Sequence, residues 1–165
     1  MKNAIDILKM AILMERRGRA FYNKVASQTD DPNVKRIFEL MAKEEVIHER
    51  FLLDQMTHFQ NNENFEIKDY PKEGEDTIAH MILSEKISAA INSAGFEAAA
   101  ISAAIDMESK AIEVYSNRAE ETGDANEKKL YQWLAEWEQS HHKILIQLDN
   151  ELKEKIWYDN QFWPF

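Results

Sequence analysis

The sequence predicts an all-α fold, a four-helix bundle with one long crossover between its second and third helices, and three observations carry that reading. Gly (four) and Pro (three) are scarce among the 165 residues, so few helix breakers interrupt the chain. The stretches between them are rich in Ala, Glu, Lys, Leu, Ile and Met, which lose little on entering a helix. Apolar residues recur three or four positions apart along four long segments, the period of a helix with one buried face.

The first segment, from Asn3 to about Gln28, carries Ile5, Leu8, Ile12, Tyr22 and Ala26 on one stripe. Asp30-Asp31-Pro32 then supplies a turn in which an Asp suits the N-cap of the next helix and Pro its first position. The second helix holds Val34, Phe38, Met41, Leu52 and Gln55 in register and runs to about Gln60. A polar, turn-rich stretch from Asn61 to Gly74 opens the crossover, which includes a short amphipathic helix near Thr77 to Asn92. After Ser93-Ala94-Gly95 the third helix runs from about Phe96 to Glu121, with Gly123 expected as its C-terminal stop. The fourth places Leu130, Leu134, Leu145, Leu148 and Leu152 on one stripe and reaches about Ile156.

Tight turns make the helices of each pair antiparallel neighbours, and the long connection is free to cross the bundle's length. The whole chain, residues 1–165, is read as one domain, which at this size buries a core without cross-links. The tail from Trp157 to Phe165 is strongly aromatic and is expected to pack on the bundle or on a second subunit, which favours a homodimer.

Composition removes several function classes. A net charge of −10 without a basic patch argues against nucleic acid and anionic lipid as partners. The absence of cysteine excludes disulfides, thiolate metal sites, iron–sulfur clusters and cysteine nucleophiles, so a metal would be held by oxygen and imidazole. No window approaches the roughly 18 apolar residues of a membrane span, and the N-terminus lacks a signal-peptide pattern, so a cytoplasmic location is expected.

Shifting the chain by 93 residues aligns the first helix pair, about 3–60, with the second, about 96–156, giving 14 identities in 42 positions between Ala11 and Leu52. Average residue usage would give roughly three. Several identities, such as Ala11/Ala104 and Ile12/Ile105, are ordinary packing residues. Glu15/Glu108, Glu45/Glu138 and His48/His141 are not, because they share stripes with core residues, as in Phe38, Met41, Glu45, His48, Leu52. Ionised carboxylates buried there would cost several kcal/mol each without compensation.

Positions three apart on a helix face one way, so Glu45 with His48, and Glu138 with His141, each aim an oxygen and a nitrogen at one point. Glu15 and Glu108 add a carboxylate apiece from the neighbouring helix. Four carboxylates and two imidazoles can bind and neutralise two dications, the ligand arrangement of di-iron and di-manganese bundles. Glu44 lies about 100° around the helix from Glu45, and its repeat mate is Trp137, so it is left out of the set. His142 has Glu49, not a histidine, as its repeat mate, and His58 and His80 have no acidic neighbour at ligand spacing, so all three read as surface or edge residues.

Tyr22 and Tyr115 follow their helix Glu by seven residues, about 10 Å along the axis. They suit either a hydrogen bond that orients a ligand or an ordinary core position. Gly18 and Ala111 stand one turn beyond Glu15 and Glu108, where small side chains leave a path for a small oxidant or let helices approach closely.

On these residues the chain resembles the ferritin-like superfamily, and within it the rubrerythrin-type branch. The carrying features are Glu15 with Tyr22, Ala42-Lys43-Glu44-Glu45-Val46-Ile47-His48, Glu108 with Tyr115, and Ala135-Glu136-Trp137-Glu138-Gln139-Ser140-His141. The resemblance implies two iron ions, with manganese and zinc as alternatives, reacting with hydrogen peroxide or dioxygen as a peroxidase or oxidase. Iron binding, ferroxidation or storage is the alternative. Rubrerythrins proper carry a further Glu one turn after the third-helix carboxylate, where this chain has Ala111, and often a rubredoxin domain with four cysteines. The resemblance therefore implies a separate electron-donor protein.

Overall fold

The structure is a computed structural model that describes residues 4–30, 32–72 and 95–159. Among them are four helices and no strand: α1 (Ala4–Gln28), α2 (Pro32–Asn62), α3 (Phe96–Glu121) and α4 (Ala125–Asp159). The expected short helix near 77–92 and the end of the aromatic tail lie outside the described residues, as does His80.

α1 packs along α2 and α3 along α4, as the short turns require. The apolar stripes form two clusters. One contains Tyr22, Val34, Phe38, Ile101 and Leu145; the other contains Leu8, Leu52, Tyr115, Leu130 and Trp133. α2 and α3 both start in the first cluster and end in the second, whereas α1 and α4 run the other way. α2 therefore ends and α3 begins at opposite ends of the bundle, as a long connection between them allows. Between the two clusters, all four helices turn a polar residue inward.

The crossover leaves α2 through Glu63, whose φ of 56° is left-handed and ends the helix. It is then pinned by side chains. The Gln55 amide accepts from Glu66 N at 3.0 Å and donates to Glu66 O at 3.1 Å. Asn126 donates to Phe65 O at 3.1 Å and Trp133 to Pro71 O at 2.7 Å, which ties the segment to α4.

α1 and α3 end alike: Thr29 N donates to Val25 O and Thr122 N to Arg118 O, each at 3.1 Å. This corrects the expectation for Gly123. Thr122, in extended conformation, closes α3, and no glycine among the described residues takes a positive φ. A left-handed stop is unnecessary because Asp124 begins the next helix at once, its carboxylate accepting from Asn126 N at 2.8 Å and Glu127 N at 3.0 Å. None of the described helices is long and apolar enough to cross a membrane.

Candidate metal centre

Each helix brings its polar residues to the same level because each is placed midway along an apolar stripe. Glu15 on α1, Glu45 and His48 on α2, Glu108 on α3, and Glu138 and His141 on α4 are all at most 3% exposed. They form two overlapping groups, Glu15/Glu45/His48/Glu138 and Glu45/Glu108/Glu138/His141, in which one donor atom per residue lies within 4.8 Å of the others. Glu45 and Glu138 belong to both groups, so they are the carboxylates that would be shared between two ions.

Both imidazoles turn Nδ1 inward. His48 Nδ1 lies 3.1 Å from Glu15, 3.1 Å from Glu138 and 3.4 Å from Glu45. His141 Nδ1 lies 3.4 Å from Glu108 and 3.3 Å from Glu138. Yet His141 Nδ1 and Glu138 Oε2 are buried without a well-formed hydrogen bond among the described residues. Buried polar atoms left so, on α4 and among carboxylates from the other helices, fit a divalent cation with oxygen and imidazole ligands.

The electrostatics agree with that fit. Burial, then the Glu138 and Glu15 charges, push the Glu45 carboxyl well above the usual range. Burial and Glu138 push Glu108 up to about 8. Burial opposes a charge on His48, but Glu138 outweighs it and the imidazole is raised; His141 is likewise raised against burial by the Glu108, Glu138 and Glu44 carboxylates around its ring. Glu138 alone is held low, its burial outweighed by both histidines. Glu45 and Glu108, raised in this way, retain protons that a metal would displace.

The tyrosines cross between halves. Tyr22 donates to Glu108 and Tyr115 to Glu15. Burial, and then the charge of the accepting carboxylate, raises both phenols well above their usual value, so they remain donors at neutral pH. Antiparallel α1 and α3 make this exchange possible, because each Tyr lies too far along its helix to reach its own Glu.

A cavity of about 220 Å³ opens onto the carboxylates between α1 and α3, lined by Glu15, Glu45, Glu108 and Glu138 and flanked by Gly18 and Ala111. A Cβ at Gly18 would stand 3.4 Å from Glu45 Cδ. The opposite, histidine side is closed by Trp133 and Trp137, whose rings lie 5.4 and 5.0 Å from that of His48.

Glu44 stands outside both groups, as expected, but it is not idle: its Oε2 lies 2.5 Å from His141 Nε2. Sequence reasoning missed this contact. The one available signal was Glu44's place one residue before a ligand with an aromatic as repeat mate, which does not say which histidine it would meet. His58 pairs with Asn64 at 3.1 Å, and His142 is half-buried; both lie away from the cluster.

The protein family described as Rubrerythrin matches residues 6–149 of the chain. No curated protein and no solved structure matches it significantly.

Proposed function

The chain belongs to the rubrerythrin family, and on that premise we propose that it is a di-iron carboxylate protein that reduces hydrogen peroxide or dioxygen. The two overlapping donor groups that share Glu45 and Glu138 carry the reading. Four carboxylates balance two dications, and each ion receives one imidazole. Iron suits this donor set, with manganese and zinc as chemical alternatives. Two iron ions, when bound, supply the two electrons that turn hydrogen peroxide and two protons into two waters.

The protein's own part is to hold, admit and exclude. Glu15 and His48 serve one position, Glu108 and His141 the other, and Glu45 with Glu138 both. The Tyr22 and Tyr115 hydroxyls fix the orientation of Glu108 and Glu15. The cavity beside Gly18 and Ala111 admits a small oxidant, while Trp133 and Trp137 keep water from the histidines. Ala111 leaves its position without a donor, and among the described residues these six make up both donor groups. With no cysteine in the chain, reducing electrons come from a separate donor protein.

Anaerobic loading with Fe(II) followed by rapid mixing with hydrogen peroxide tests the proposal. Two Fe(II) per chain and a fast rise in near-ultraviolet absorbance are expected; an unchanged spectrum on mixing overturns it. Loading weakens as pH falls through about 8, where Glu108 takes up the proton that a metal displaces.

A further inference from the structure

Glu44 and Trp137 are repeat mates, 93 positions apart, and they touch: Trp137 Nε1 donates to Glu44 Oε2 at 3.2 Å. Each directly precedes a cluster carboxylate, Glu45 or Glu138, and together they lie behind the two histidines. The same Glu44 oxygen lies 2.5 Å from His141 Nε2. His48 meets rings instead, those of Trp137 and Trp133, both close to perpendicular to its own. Its Nε2 is buried and has no hydrogen-bond partner among the described residues. Here the duplicated halves diverge, and the consequence is that one imidazole is backed by a carboxylate and the other by indoles.

Both histidines aim Nδ1 into the cluster, so each offers a lone pair there only when its proton sits on Nε2. A carboxylate accepting that proton fixes the tautomer, locks the ring and makes Nδ1 a stronger donor; an indole ring does none of these as well.

Resting on the metal-binding reading above, we propose that Glu44 is a positioning residue that makes the two metal positions unequal. The position formed by Glu45, Glu108, Glu138 and His141 takes its ion first and more tightly; that formed by Glu15, Glu45, Glu138 and His48 fills second. Partners of this kind change metal affinity by about 10–100-fold, which sets the expected separation.

Titrating the metal-free full-length chain with Co(II), followed by visible absorption and by calorimetry, tests this. The wild type binds in two steps separated by about 10-fold or more. Glu44→Gln, which keeps the shape and removes the charge, weakens the first step by about 10-fold or more and leaves the second in place. Trp137→Glu, which sets a carboxylate beside the His48 ring, tightens the second step. A purely structural role for Glu44 would move both steps together, and that result overturns the inference. Two equal steps in the wild type overturn it as well, while leaving the metal site intact. No Co(II) binding at all removes the metal reading and this inference with it. Far-ultraviolet circular dichroism reports the fold of each variant; if Glu44→Gln unfolds, an unaltered second step in Trp137→Glu overturns the inference alone.

Discussion

The two helix pairs are alike where they meet the buried carboxylate–histidine cluster and different away from it. Glu15, Glu45 and His48 have the same roles as Glu108, Glu138 and His141, and even the tyrosine contacts are exchanged symmetrically. Beyond them, Val25 and Val34 in the first pair are buried apolar residues. Their mates are Arg118 and Glu127, which form a two-pronged ion pair with both hydrogen bonds at 2.7 Å. Glu127 is 2% exposed beside the α3–α4 turn, and its carboxylate depends on Arg118 and on the Thr122 hydroxyl. A shared ligand set thus tolerates divergent supports, provided each support satisfies its own polar groups.

The largest effect follows from that ion pair. Arg118→Ala strands the Glu127 carboxylate and is expected to destabilise the bundle by about 3–5 kcal/mol in chemical denaturation. Replacing Arg118 and Glu127 together by Val, which copies the first helix pair, should bring stability back to within about 1 kcal/mol of the parent or above it. A double variant as unstable as the single one would mean that the two helix pairs are not interchangeable in this layer.

A smaller effect probes the part of the comparison that is symmetric. Tyr22→Phe and Tyr115→Phe each remove one hydrogen bond to a cluster carboxylate, and each should lower metal affinity by about 10–100-fold, by the same factor in both variants. Unequal losses, read by the same Co(II) titration, would show that the halves already differ at the tyrosines and not only at Glu44 and Trp137.

The smallest effect concerns Gly18, whose mate is Ala111. An added Cβ would touch Glu45 Cδ at 3.4 Å, which is ordinary contact, while the helix interior gains about 0.5–1 kcal/mol from losing a glycine. Gly18→Ala should therefore raise the melting temperature slightly and leave metal stoichiometry at two. A drop in either would show that Glu45 needs the space.

Much of the fold was legible because helix period, breaker scarcity and turn residues are local properties. The boundaries at Gln28, Phe96 and Glu121 agree with the structure, and α2 and α4 run two or three residues past the expected ends. Gly123 misled because a glycine after a helix suggests a left-handed stop, whereas Thr122 and Asp124 close one helix and open the next by hydrogen bonding alone. The gathering of six donors was legible for a different reason. Duplication repeats the same residues at one spacing, and polar residues repeated within an apolar stripe point inward together.

The sequence by itself determined the helices, their pairing within each half and which carboxylates and imidazoles face the core, since all of these depend on spacing along one chain. Only the tertiary structure decided which residues meet across halves: Tyr22 with Glu108, Tyr115 with Glu15, and Glu44 with both His141 and Trp137. Residues 86 to 100 positions apart become neighbours through the relative rotation and height of packed helices, which no single helix's period encodes. The bundle therefore reads as symmetric in sequence, and its two cluster histidines come to differ in their surroundings only once α2 lies against α4.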